Sequence, residues 1–147
     1  MEDSFLSSKE EVKTYLDRLK YAIKNRKTTI NFQEERNVDN NRPIRYTNRY
    51  TISYLFPDES PSEVLRRELK KLNSGDYLCT VKDTRYENRS DMYVFAVKYD
   101  AYVYIKIRVE LLKHGHLSNY VFVMSFHYSD QEINEDVFPY MEKRGEK

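Results

Sequence analysis

Two rhythms of apolar and polar residues run along this chain, and each predicts one kind of element. Between Ser8 and Asn25 the apolar positions Val12, Tyr15, Leu16, Leu19, Ala22 and Ile23 recur at three- and four-residue intervals, the spacing of one helix face. Ser8 and Glu11 stand where a capping-box pair would start that helix. A second helix is predicted from the SPSE stretch, Ser60 to Glu63, to about Leu72. It has an N-cap serine, a proline at the first helical position, and a stripe of Leu65, Leu69 and Leu72. NSG, residues 73–75, ends it, and Asp76 to Thr80 reads as a further short helical turn.

The other rhythm has a period of two. VYIKIRVE, Val103 to Glu110, places Val103, Ile105, Ile107 and Val109 on one side and Tyr104, Lys106, Arg108 and Glu110 on the other. Strands are predicted at about 92–99, 102–112 and 120–128, with Tyr50 to Phe56 as another, closed by Pro57 and Asp58. The β-branched Thr28 to Phe32 reads as a short strand or the run-in to one. Residues 33–49 form a long basic loop, 81–91 a second charged loop, and 129–147 an acidic tail that wraps loosely or frays. The expected architecture is α+β: one domain, with an antiparallel sheet of four to five strands packed by two main helices.

The loop at 113–119 makes the last two strands an antiparallel hairpin, and its length fixes which side chains meet. A turn around Gly115 gives paired residue numbers summing to about 231, which sets Tyr104 opposite His127. A two-residue slip sets Lys106 or Tyr102 there instead. In all three registers His127 and Ser125 share the face of Tyr104, Lys106 and Arg108, while Phe122, Met124 and Phe126 join Val103, Ile105 and Ile107 in the core. Imidazole exchanges a proton near neutral pH, and cations offset charge on a phosphate in reaction. That face is therefore a candidate for phosphodiester chemistry, set against the plainer reading of a solvated sheet face.

Composition narrows the picture. The 147 residues are 39% hydrophobic and 33% charged, with 3 Gly and 4 Pro, which fits one folded domain rather than a disordered chain. The 14 tyrosines suit half-buried strands and also surfaces that stack on bases. Net charge is +1, so no global field attracts nucleic acid. The distribution is uneven: 11–50 holds ten Lys and Arg against five acids, and from Asp130 onward six acids face three bases. Cys79 is the single cysteine, so an intramolecular disulfide and a Cys-rich zinc site are excluded. With neither a signal-like start nor an apolar run of membrane-spanning length, the expectation is a soluble cytoplasmic protein without a membrane partner.

Other constellations carry less. His114 and His116 in HGH could hold a metal only with a ligand from elsewhere, and a plain turn accounts for them. Asp83, Glu87 and Asp91 could meet Mg²⁺, but they lie among Lys82, Arg85 and Arg89 in a mixed-charge loop. P-loop, GxGxxG, GxSxG and HExxH patterns are absent, and no cofactor is expected.

VYIKIRVELL followed by VFVMSFHY resembles the MqsR family, bacterial type II toxins that cleave mRNA and share a compact RelE-like fold. The family pattern is a VYLKI strand, a short hairpin and a last strand ending in SF(K). Here it reads Val103-Tyr104-Ile105-Lys106-Ile107, then Ser125-Phe126-His127. SDMY at 90–93 is similar to the family's QDVY-like stretch and GDYL at 75–78 to its SDFY. Arg26-Lys27-Thr28-Thr29 after the first helix matches as well, and the likeness covers about half the chain.

The resemblance implies a metal-independent ribonuclease. Its catalytic tyrosine falls on Tyr104, and its catalytic lysine on His127, a change of type. Its glutamine falls on Ser90 or Asp91, and its earlier lysine near Cys79, with Lys82 the closest substitute. Lys82, Lys106, Arg85, Arg89 or Arg108 would hold the phosphate. The implied substrate is mRNA, free or on the ribosome, and the implied partner a neutralising antitoxin, with the toxin a monomer or homodimer. The insertion around 33–56 and the tail after 127 depart from the family, so target preference does not carry over. Two other readings stand beside it: a non-catalytic module docking protein or nucleic acid on the basic, Tyr-rich sheet face, and a RelE-fold toxin acting on a protein such as gyrase.

Overall fold

The computed structural model describes residues 3–82, 90–110 and 119–142. Its elements are β1 (Asp3–Phe5), α1 (Lys9–Lys24), β2 (Thr29–Phe32), α2 (Asn48–Leu55), α3 (Pro61–Leu69), β3 (Tyr77–Lys82), β4 (Met92–Lys98), β5 (Tyr102–Glu110) and β6 (Tyr120–Tyr128). The six strands form one sheet in the order β1-β3-β4-β5-β6-β2. Every neighbouring pair is antiparallel except β2 and β6, which run parallel. The class is α+β, but the sheet is mixed and has six strands rather than four or five. Two of the six were not expected: three-residue β1, too short to show a rhythm, and β3, in a stretch that reads as a helical turn and a charged loop. The parallel pair joins elements far apart in the chain: α2, α3 and three strands separate β2 from β6, so no tight hairpin forces them antiparallel. Among the described residues no helix is long and apolar enough to cross a membrane.

Helix α1 forms where its pattern places it. Ser8 accepts a hydrogen bond from the Glu11 backbone at 3.1 Å, and the Glu11 carboxylate accepts from the Ser8 backbone at 2.9 Å. All six apolar positions of its stripe are buried against the sheet. At its other end Arg66 of α3 donates to the carbonyls of Ile23, at 3.2 Å, and Thr28, placing a cation at the negative end of the helix dipole.

Two stretches differ from the sequence pattern. Tyr50–Phe56 is not a strand; residues 48–55 form α2, capped by Thr47, whose hydroxyl accepts from the Tyr50 backbone at 3.2 Å. Its inward positions are Asn48, Thr51, Ile52 and Leu55, a helical spacing hidden from hydropathy because the first two are polar. Asp76–Thr80 is not a helical turn either: a 3₁₀ turn spans Ser74–Asp76 and β3 begins at Tyr77. A register shift between Tyr77 and Cys79 disturbs the alternation that would have marked this strand.

The β5–β6 register is the one that pairs Tyr104 with His127, and Lys106 faces Ser125. Between Lys106 and Ile107 it shifts, so that Ile107 faces Val123 and Met124 is the extra residue of a bulge. The expected core face of β6 is therefore corrected. Phe126 is buried in the main core as expected, but beyond the bulge Val121 and Val123 take the inward positions. Phe122 and Met124 pack instead on the opposite face, with Val81, Met92 and Val94.

The bulge is held by Asn48, which is fully buried. Its Nδ2 donates to the carbonyls of Gln33 at 2.7 Å and Met124 at 2.9 Å, and its Oδ1 accepts from the Phe126 backbone at 3.0 Å. One turn on, the Thr51 hydroxyl accepts from the Tyr128 backbone at 3.0 Å. Strand β2 ends at Phe32, so α2 replaces a neighbouring strand by satisfying the exposed edge of β6 with side chains.

Asn48→Ala leaves a buried N–H and two carbonyls without these partners, and is expected to destabilise the fold by about 3 kcal/mol. Asn48→Asp keeps the shape and the acceptor but loses both donations, and is expected to cost nearly as much. Urea unfolding monitored by circular dichroism measures both; a loss under about 0.5 kcal/mol for either contradicts this assignment.

Candidate functional site

A cleft of about 610 Å³ opens on the sheet face away from α1. Its floor is made by strand residues: Tyr104 and Lys106 of β5, and Met124, Ser125 and His127 of β6. Alternation on β5 and the bulge on β6 together bring these side chains to one face. One wall is the segment after β2, through Arg36 and Arg42; the other is the chain leaving β6, Ser129 to Ile133 with Val137. The wall residues come from the basic stretch 33–49 and from the acidic stretch after β6.

Both walls are built structures. In the first, 3₁₀ turns span Asn37–Asn41 and Ile44–Tyr46, and the Arg36 backbone donates to the Asp39 carboxylate at 3.1 Å. Arg36 also reaches the floor, its guanidinium donating to the Ser125 hydroxyl at 3.4 Å. In the second, Asn134 caps a 3₁₀ turn at Glu135–Val137. Phe138 is buried with its ring 5.8 Å from that of Tyr102, and the Tyr140 hydroxyl donates to the Ser7 carbonyl at 2.5 Å. The tail is therefore anchored as far as Tyr140.

His127 is the chemical centre of the floor. Its ring lies 5.6 Å from that of Tyr104, nearly parallel at 26°. Its Nδ1 is 2.9 Å from the Tyr128 carbonyl oxygen. A carbonyl can only accept, so Nδ1 carries the proton and the neutral ring keeps its lone pair on Nε2. Burial lowers its pKa from the ordinary 6.5, and the nearby Arg42 and Arg36 lower it further against the opposing pull of the Tyr128 carbonyl. At neutral pH the group is therefore a neutral imidazole, arranged to take up a proton at Nε2.

The remaining candidates are dispersed. Arg108 shares the face but is buried farther along β5, its guanidinium 4.9 Å from the Phe122 ring centroid and 3.3 Å from the Glu110 carboxylate, and it does not line the cleft. Lys82 is exposed at the end of β3; its neighbour Val81 faces the cleft side, so alternation turns Lys82 the other way. It is not among the residues that line the cleft. Ser90 is exposed just ahead of β4 and is not part of the cleft. Arg85, Arg89, Asp83, Glu87, His114 and His116 lie outside the described residues. Among the described residues no cluster of three or more His, Cys, Asp or Glu could hold a metal ion.

No family model, curated protein or solved structure matches this chain. Its chemistry is therefore argued from the cleft itself. Arg36, Arg42 and Met124 are the residues that strand parity alone does not find. The excess of Lys and Arg over 11–50 was the signal for the two arginines, while Met124 enters only through the bulge.

The His127 titration should be visible directly. Its midpoint, followed by ¹⁵N-resolved NMR, is expected below 6.5 with the proton on Nδ1 in the neutral form. A folded-state pKa below the unfolded value means that the unfolded chain binds more protons. The His127 contribution to stability is then full above about pH 6.5 and is lost as pH falls through the depressed value. His127→Gln should flatten that part of the stability profile between pH 8 and 5. A midpoint above 6.5, or a neutral ring protonated at Nε2, contradicts this account.

Proposed function

We propose that the cleft is the active site of an endoribonuclease that needs no metal, and that the protein is an MqsR-like toxin with mRNA as substrate and an antitoxin as partner. The supporting observation is the convergence on one concave surface of a proton acceptor, a phenol and three cations: His127, Tyr104, Lys106, Arg36 and Arg42. An α+β sheet backed by helices, with the β5–β6 pair among its inner strands, supports the reading as far as fold class goes.

In this mechanism the substrate carries its own nucleophile. Nε2 of His127 takes the proton from a ribose 2′-OH, whose oxygen attacks the adjacent phosphorus. The bond from phosphorus to the 5′-oxygen breaks, and the leaving oxygen takes a proton from the Tyr104 hydroxyl. The products are a 2′,3′-cyclic phosphate and a free 5′-OH. The tyrosinate and imidazolium left behind return to their starting forms by exchange with water. Lys106, Arg36 and Arg42 offset the charge that builds on the phosphate oxygens, each acting more strongly in a cleft than in bulk water. Compared with the sequence expectation, Arg36 and Arg42 replace Lys82 and Arg108 as phosphate-holding groups.

Purified protein with EDTA and labelled single-stranded RNA tests this reading. Cleavage with a cyclic-phosphate product is expected, with 2′-O-methyl RNA left intact. His127→Ala should reduce the rate by about 10²–10⁴-fold, the usual contribution of a positioned acid or base. The rate should rise with pH through a midpoint below 6.5 and then level off. Absence of cleavage by the wild type, or undiminished cleavage by His127→Ala combined with Tyr104→Phe, overturns it and leaves a binding module.

A further inference from the structure

On the helical side of the molecule, away from the cleft, a second concavity of about 500 Å³ is lined by Lys20, Ile23, Lys24, Arg26, Arg66 and Lys70. Five of its six lining residues are cations. Two of them are already engaged: Arg66 donates to the carbonyls at the end of α1, and Arg26 pairs with Glu63 at 2.5 Å. Lys20, Lys24 and Lys70 are exposed and have no carboxylate within ion-pair distance among the described residues.

Helix-dipole compensation accounts for part of this arrangement, since Lys24 lies in the last turn of α1 and Lys70 caps α3. It does not account for Lys20, one turn farther in. Lys20 and Lys24 are a like-charged i,i+4 pair, an unfavourable spacing on an isolated helix. Asp17 sits one turn before Lys20 without forming an ion pair with it. Tyr21 follows Lys20 on the same helix, outside the lining of the concavity on the flank beyond Lys24, and is 63% exposed, too exposed to serve the core.

We infer that this patch is a second nucleic-acid contact, holding the sugar-phosphate backbone of single-stranded RNA, with Tyr21 as a stacking platform for a base. The chemistry fits RNA better than an acidic peptide. Four residues, about 6 Å of rise, separate the two lysines along the axis, so the pair presents two cations in a row to a backbone that carries one charge per nucleotide. An exposed aromatic ring beside such cations is the combination that holds single strands without reading sequence. The patch lies outside the cleft, so the inference concerns binding alone and stands whether or not the cleft cuts RNA.

The test is fluorescence anisotropy with a labelled 2′-O-methyl RNA 20-mer, which cannot be cleaved by 2′-OH attack, titrated with full-length protein at several salt concentrations. Lys20→Gln, Lys24→Gln and Lys70→Gln combined should weaken binding at least 10-fold. The slope of log K against log salt should become shallower by about 2, since three phosphate contacts on a single strand contribute roughly 0.7 each. Tyr21→Ala alone should weaken binding several-fold at unchanged salt slope. Circular dichroism and thermal melting confirm that the surface variants fold; Lys20→Gln with Lys24→Gln serves as a milder variant, with a proportionally smaller slope change. Unchanged affinity and slope in the triple variant overturn the inference. So does a patch-dependent preference for poly-glutamate or for anionic lipid vesicles over the RNA.

Discussion

The structure depends on one buried amide. Asn48 stands where β6 has lost its neighbouring strand and gained an extra residue, and its three hydrogen bonds answer both problems. A bulge leaves backbone groups out of register with the ladder, and burying such groups without partners costs more than a bulge can return. With Asn48 in place the kink is stable, and β6 presents different parities on its two sides. Phe126 and Tyr128 face the helices on one side of the bulge; Val121 and Val123 do so on the other. From the core side, the Tyr15 hydroxyl donates to the Ile107 carbonyl at 3.1 Å, so the shifted register is held from α1 as well.

The same kink shapes the opposite face. Because Met124 and Phe122 turn away from the main core, they join Leu78, Val81, Met92 and Val94 in a smaller apolar cluster beside the polar floor. Tyr104, Lys106, Ser125 and His127 thus lie between an apolar bank and two polar walls. This explains how a histidine only 7% exposed can still line the cleft: its neighbours crowd its flanks, and among the described residues no α-helix lines the cleft above it. Burial and the two arginines act in the same direction on the ring, keeping it neutral, and the Tyr128 carbonyl decides which nitrogen holds the proton.

Charge is divided between the walls in a way that composition foreshadowed. The basic excess of the N-terminal third supplies Arg36 and Arg42, and the acidic end supplies Asp130 and Glu132 on the facing side. An unstructured basic loop would only attract anions. Fixed by its 3₁₀ turns and by the Arg36 contact to Ser125, this one holds guanidinium groups at a set height over the floor. The tail is anchored by Phe138 and Tyr140, aromatic residues that a reading by charge alone passes over.

Much of this was legible along the chain. Period-3.6 stripes with their start signals located α1 and α3, and alternation located β4, β5 and the existence, though not the full parity, of β6. Parity put His127 on the face of Tyr104 in every register considered, and the structure shows the one of the three that sets the two directly opposite. What the chain alone did not determine lay where local rhythm is broken or where polar side chains face inward. Asn48 and Thr51 disguised a helix as a strand, since their inward positions bond a backbone rather than fill a core. Met124 reversed the parity of half of β6, and nothing local to VFVMSFHY announces an extra residue whose hydrogen bonds are met by a helix more than seventy positions earlier. The cleft walls, the protonated nitrogen of His127 and the positions of Lys82 and Arg108 outside the cleft lining were likewise decided in three dimensions. Each depends on contacts between segments distant in sequence, and hydrophobic periodicity carries no record of those.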